Sequence, residues 1–248
     1  RGGWLALGVG LLSGAAILVR PSWALFIPLM LAAWITAVGQ ERRAAALRNA
    51  ALVVLGVVLV MAPWWVRNAR VLGRFVPTAL WMGASLYDGL NPSATGASNM
   101  GFLADPEIRA LDEPTQDAAL RSRALAFARS YPARVLRLAA LKAARFWSPW
   151  PNTDTLRAPG IAILSAIIVI PFYVLLLIGI GDRRRDARAL ILLLGPLLYF
   201  AAVHLVFVSS IRYRIPGAIP AAGLAARGLK KLSVVGSQPD EISDHPSV

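Results

Sequence analysis

Five stretches of this chain run for a membrane's width without a charged residue: Gly2–Val19, Pro21–Gln40, Asn49–Val66, Ala158–Gly181 and Ala189–Ile211. A bilayer's hydrocarbon core takes about 20 such residues as a helix. Lipid offers no partner to a free backbone N–H or C=O, so runs like these fold as helices that satisfy themselves. Ile215–Ala226 is a shorter sixth run, between Arg214 and Arg227, readable as a tilted span or a re-entrant piece. Arg20-Pro21-Ser22 breaks the first two runs into a tight hairpin, because Pro21 disfavours helix at Arg20 and suits the first turn of a new one.

Composition agrees. The 248 residues are 57% hydrophobic and 16% charged, against roughly half and a quarter in soluble domains. The formal charge of +13 would suggest nucleic acid in a soluble protein. Here the arginines flank apolar runs, where they fix orientation and meet anionic headgroups. No zinc-finger spacing, RNP-type motif or basic heptad helix supports a nucleic-acid partner. Cysteine is absent, which removes disulfides, thiolate metal sites and a cysteine nucleophile.

Basic residues in short links set orientation. Arg42, Arg43 and Arg48, then Arg183, Arg184, Arg185 and Arg188, then Arg227, Lys230 and Lys231 form the richer set and read as cytoplasmic. Arg20 and the Arg212–Arg214 turn then share the outer face with one long polar insert. The expected organisation is three spans over 1–66, an exoplasmic insert over 67–157, two long spans and a short one over 158–229, and a disordered cytoplasmic tail over 230–248. This is an all-α polytopic membrane protein of about six transmembrane helices, with a mixed helix-and-loop outer insert. The expected location is a bacterial inner (plasma) membrane, crossed several times.

Within the insert, residues 75–100 are rich in Gly, Ser, Asn and Pro and read as loop, with a short strand at Phe75–Pro77. Asp105–Leu111 and Thr115–Ser130 read as helices, and Pro132 starts another to about Phe146. On that last helix Arg134, Arg137, Lys142 and Arg145 fall on one arc, with Leu136, Ala140 and Ala143 opposite, a pattern that suits a helix lying on the outer leaflet. Pro63-Trp64-Trp65 reads as an interfacial aromatic pair.

Serine-hydrolase, P-loop, Rossmann and zinc-protease patterns are missing. Of two histidines, His245 lies in the tail and His204 in the middle of an apolar run, so no metal or other cofactor is expected. The sharpest local feature is Ser209-Ser210-Ile211-Arg212-Tyr213-Arg214-Ile215-Pro216. Arginine forks match phosphate oxygens two at a time; snorkelling that merely anchors a helix end reads equally well. His204 is either a functional group or a neutral histidine bonded to a neighbouring helix.

Four pieces together resemble the C-terminal half of the GT-C membrane glycosyltransferases, the group that includes protein O-mannosyltransferases and the bacterial aminoarabinose transferase. They are the hairpin from Gly10 to Pro21, Pro63-Trp64-Trp65-Val66-Arg67-Asn68 with Gly73–Pro77 behind it, Asp88–Gly96 followed by Arg145–Pro149, and Arg212-Tyr213-Arg214 with Pro216. The resemblance implies a sugar donor on a polyprenyl phosphate, an acceptor it does not name, and transfer on the non-cytoplasmic face with inversion. It also implies a catalytic base in a first outer loop upstream of Arg1, so the chain reads as a fragment expected to be inactive alone. Asp88 is a candidate for that base; a residue capping the turn before Asn91-Pro92 is the weightier reading. Arg212 and Arg214 with Tyr213 are the first candidates to hold the lipid phosphate, followed by Arg20 and Arg67; His204 and Asn91 complete the substrate-binding set. The rival readings are a transporter or lipid flippase, with His204 and arginines lining a path, and a non-catalytic assembly subunit.

Overall fold

The computed structural model describes residues 2–152, 156 and 158–235. Thr153, the junction at Arg157 and the tail beyond residue 235 lie outside the described residues. The described residues form helices and loops with no strand: α1 (Gly2–Val19), α2 (Trp23–Ala37), α3 (Gln40–Leu72), α4 (Met82–Gly89), α5 (Pro106–Arg109), α6 (Glu113–Ser130), α7 (Pro132–Trp147), α8 (Pro159–Arg183), α9 (Ala187–Val206) and α10 (Ile215–Val235). Short 3-10 turns lie at Met100–Ala104 and Ile211–Arg214.

Four helices, α1, α3, α8 and α9, are long and apolar enough to cross a membrane. The fold is therefore all-α and compatible with a multi-pass integral membrane protein. In α8 only 6% of the most apolar window is buried, and Ile163, Leu164, Ile167, Ile168 and Leu177 all point outward. So continuous an apolar surface is compatible with lipid around it. Helix α2 is apolar but shorter, and α10 carries Arg227, Lys230 and Lys231 in its second half.

Several boundaries differ from those expected. The charged link Gln40–Arg48 is the beginning of α3, which runs on through Arg67 to Leu72. At 33 residues this helix is about 50 Å long, against a hydrocarbon core of about 30 Å. It therefore carries its charges beyond both ends of its apolar middle. Gly73 then closes it in the left-handed conformation, φ 63°, which glycine adopts without steric cost. The strand expected at Phe75–Pro77 is absent. Instead the carbonyls of Pro77 and Thr78 accept the indole N–H groups of Trp65 and Trp64, each at 2.8 Å. The tryptophan pair thus fastens the chain as it leaves α3. Helix α9 stops at Val206, short of Ile211, while α10 runs past Ala226 to Val235 and takes in the start of the expected tail. Pro21 sits in the turn before α2 rather than in its first turn.

Small residues set the helix crossings. Without a hydrophobic drive between helices in lipid, close backbone approach and dispersion contacts hold them. A Cβ at Gly10 would overlap the Val53 carbonyl, one at Gly14 would come within 2.8 Å of Val60, and one at Gly56 within 2.7 Å of Leu7 and Leu11 backbone. These lock α1 against α3. On the other side Gly179 faces the backbone of Leu224 and Gly228 that of Leu175, which lock α8 against α10. Between the pairs α2 packs on α9 through rings: Trp23 against Phe200 at 4.8 Å and Phe26 against Tyr199 at 5.2 Å.

The insert has its own small cores, one of Leu90, Ala94, Ala124, Phe127 and Leu138, the other of Ala84, Ile108 and Leu120. Asp112 and Asp105 cap the starts of α6 and α5, and buried Asp117 accepts the Gly83 N–H at 2.6 Å. The acidic residues are thus partly structural, with Asp105 and Glu107 also reaching the exposed Arg123. Helix α7 does not present the expected faces. Leu138, Lys142 and Phe146 are buried, whereas Leu136 is 72% exposed. The helix is held between the insert and the end of α9, so its i, i+4, i+8 stripe points inward, lysine included.

Two outcomes follow. Gly179→Val inserts carbon where backbone already sits, and overpacking of about 1–3 kcal/mol should lower the melting temperature in detergent; Gly181→Ala, with nothing within 4 Å, should melt as wild type. Single cysteines placed in this cysteine-free chain should react with an impermeant thiol reagent from outside at position 95, an exposed position of the insert, and not at positions 43 or 184. Outside labelling at 184 would reverse the orientation.

Candidate functional site

The Arg20 turn, the end of α9, the 3-10 turn Ile211–Arg214 and the insert meet at one end of the helices. Lys142 joins them. Its ammonium donates to the Gly89 carbonyl at 2.9 Å and to the Val206 carbonyl at 2.5 Å. Gly89 and Val206 are the last residues of α4 and α9, so one cation meets the electronegative ends of two helices. Burial pushes the Lys142 amine down to about 8, with Asp88 opposing the fall.

Beside this staple, His204 sits in the last turn of α9, not in the middle of the span. Its Nδ1 lies 2.7 Å from the Val208 carbonyl. A carbonyl can only accept, so Nδ1 carries the proton and Nε2 keeps its lone pair in the neutral ring. That nitrogen faces Arg20 Nη2 at 3.4 Å and accepts from it. The imidazole stacks on the Tyr213 ring at 4.2 Å and 11°. The Arg20 guanidinium lies 5.0 Å from the Phe200 centroid and 5.3 Å from that of Tyr213. Arg212 covers Tyr213 at 5.0 Å and donates to its hydroxyl at 3.1 Å. Burial is the chief cause lowering the Arg20 pKa; Tyr213 opposes it and Arg212 adds to it. Among the described residues neither Arg20 nor Arg212 has a carboxylate within ion-pair distance.

The two arginines of the motif separate. Arg212 is exposed and bonded to its neighbour's hydroxyl. Arg214 is buried: its Nη1 donates to the carbonyls of Phe146 at 3.0 Å and Ser148 at 2.6 Å and to the Tyr173 hydroxyl at 2.9 Å. It braces α7 to α8. Tyr213 accepts from Arg212 rather than donating to a ligand, though its own O–H remains available.

The other candidates stay apart. Arg67 donates to Asn68 Oδ1 at 2.9 Å and lies 5.5 Å over Trp64, so its partners are on α3 itself. Asn91 is buried and occupied: its amide donates to the Tyr87 carbonyl at 2.7 Å, and its oxygen accepts the N–H and O–H of Ser93 at 2.8 and 2.7 Å. Asp88 is 2% exposed and accepts from the Ser98 hydroxyl at 2.6 Å and the Asn99 N–H at 2.7 Å. It braces the 88–99 loop, in keeping with a structural role. Among the described residues no group of His, Asp and Glu could hold a metal.

Sequence reasoning missed Lys142 as a staple and Phe200 and Tyr173 as ring partners. The Leu138-Lys142-Phe146 spacing was a signal, since a lysine at the centre of an apolar stripe needs buried acceptors. Nothing local marks Phe200 or Tyr173.

Lys142→Met should free the insert from α9 and leave two buried carbonyls unpaired, destabilising the chain by a few kcal/mol on the scale of about 1–3 per orphaned group. The pH dependence has a definite sign. The unfolded lysine holds its proton up to its ordinary 10.5 and the folded one only to about 8, so the unfolded state binds more protons in that window and stability rises with pH through it. Melting in detergent from pH 7.5 to 10.5 should show that rise in wild type and lose the Lys142 share of it in Lys142→Met.

Compared with protein-family models, curated proteins and solved structures, the chain has no match.

Proposed function

We propose that the Arg20–His204–Tyr213–Arg212 cluster binds the phosphate of a lipid-linked donor at the outer membrane face, as part of a GT-C-like sugar transferase. In this reading α2 and α10 complete six crossings, and the insert lies outside, over the lipid headgroups. One observation carries it: a guanidinium without a carboxylate partner among the described residues, fixed between rings and a neutral histidine nitrogen at the end of the apolar helices. Rings and imidazole hold the cation in place and leave its charge unneutralised, so an incoming anion supplies the missing partner. In a site partly shielded from water that attraction is stronger than in bulk solvent.

Compared with the sequence-based ranking, the roles change. Arg20 becomes the principal phosphate ligand, Arg212 the second, and Tyr213 the surface both lean on. Arg214 holds the floor. The place of His204 in the last turn of α9 favours this reading over a transporter path.

The test is binding of a polyprenyl phosphate to the chain in nanodiscs. Arg20→Ala removes a charge-assisted contact of about 1.5–3 kcal/mol, or roughly 10- to 150-fold in Kd. Arg20→Lys should recover part of it, because the charge survives and the fork does not. Arg214→Ala should lower the melting temperature more than the affinity of the folded fraction. Equal affinity in wild type and Arg20→Ala would sink the reading.

A further inference from the structure

The insert contains a concavity of about 410 Å³ that shares no lining residue with the cationic cluster, within the roughly 300–1,000 Å³ of small-ligand sites. Tyr87, Asn91, Ser93, Asn99 and Phe102 line it with Pro92 and Gly101, and no charged side chain is among them. Its walls are fixed from behind. The Asp88 carboxylate holds Ser98 and the Asn99 N–H, Asn91 bonds to Tyr87, Asp88 and Ser93, and the Tyr87 and Phe102 rings meet edge to face at 5.0 Å.

What remains to meet a ligand is specific. The Asn99 oxygen accepts the Gly101 N–H at 3.1 Å, which turns its amide NH₂ away as a pair of donors; among the described residues nothing accepts from them. The Tyr87 hydroxyl likewise has no partner among the described residues, and the Ser93 oxygen keeps acceptor capacity after donating to Asn91. The lining therefore offers donors and acceptors beside two apolar rings, with no charged side chain among them. An anion would meet no cation here, and an apolar ligand would strand the amide and the hydroxyls. A neutral polyhydroxylated ring satisfies both demands: its hydroxyls donate and accept at close spacing while its C–H faces cover the rings.

We propose that this pocket is a binding site for a neutral sugar. The site stands apart from the phosphate cluster, and the proposal rests on no part of that reading.

The experiment is saturation-transfer NMR on the full chain in nanodiscs, with methyl β-D-glucopyranoside, methyl α-D-mannopyranoside and methyl β-D-galactopyranoside as probes, and glucuronate and glucosamine as charged comparators. At least one methyl glycoside should give saturable transfer, above either comparator. Asn99→Asp keeps the oxygen that caps Gly101 and removes both donors; with one or two hydrogen bonds lost at about 0.5–1.5 kcal/mol each, Kd should rise about tenfold. Tyr87→Phe, which removes a hydroxyl that has no partner among the described residues, should raise Kd severalfold with an unchanged melting temperature, and Arg20→Ala should leave Kd unchanged. Absence of saturable transfer from all three glycosides to folded protein, preference for a charged comparator, or wild-type Kd in both Asn99→Asp and Tyr87→Phe would overturn the proposal. Loss of glycoside binding in Arg20→Ala would also overturn it, by moving the sugar to the cationic cluster.

Discussion

The ammonium of Lys142, bonded to the last carbonyls of α4 and α9, is the contact through which the insert is registered on the membrane helices. Helix ends leave carbonyls without partners, and two such ends buried together would repel through their dipoles. A single cation between them removes both problems. It also explains why a lysine accepts full burial: the acceptors compensate much of the desolvation that lowers its proton affinity. With α7 held in this way, Phe146 reaches the core beside Phe200 and Leu197, and the carbonyls of Phe146 and Ser148 come within reach of Arg214. The insert and the apolar helices are thereby joined by cations donating to main-chain carbonyls, and among the described residues no ion pair links them.

Beneath that joint the helices are held by shape. Gly10, Gly14 and Gly56 bring α1 onto α3, and Gly179 and Gly228 bring α8 onto α10, with backbone against backbone. Lipid already solvates leucine and isoleucine, so burying more of them gains little, and dispersion at close approach sets the crossing points. The ring cluster of Trp23, Phe26, Tyr199 and Phe200 joins the two halves. The same Phe200 ring supports Arg20. The packing that fuses the halves is therefore the packing that positions the Arg20 guanidinium.

Two arginines two residues apart have opposite fates because a 3-10 turn separates their directions. Arg212 points outward along Tyr213, and Arg214 points inward under α7. Neutrality of His204 follows from its neighbours, since Val208 takes the Nδ1 proton and Arg20 faces the remaining lone pair. A second proton on the ring would face a guanidinium. The imidazole thus serves as an uncharged spacer that stacks, accepts and holds the arginine in place.

The sequence alone was enough for the helical class, the apolar runs, the polar insert and the gathering of basic residues, because lipid solvation and backbone satisfaction act on composition and run length. Asp112, Asp105 and Gly73 act locally, through capping and φ, yet the sequence reading did not single them out as caps. Which face of α7 turns inward was not local. Its arginines and leucines pattern it as an amphipathic surface helix, and only the meeting of two distant carbonyl ends makes Lys142 an interior residue. The same holds for the candidate site. Arg20 and His204 are 184 positions apart, and nothing in the hairpin Arg20-Pro21-Ser22 announces a histidine acceptor or a tyrosine face. Arg212 and Arg214 look equivalent in sequence, and the tertiary fold separates them because Phe146, Ser148 and Tyr173 offer oxygens on one side of the turn only. Charge and hydropathy fix what kind of environment each segment enters; the partners found there depend on long-range packing, which no window of neighbouring residues contains.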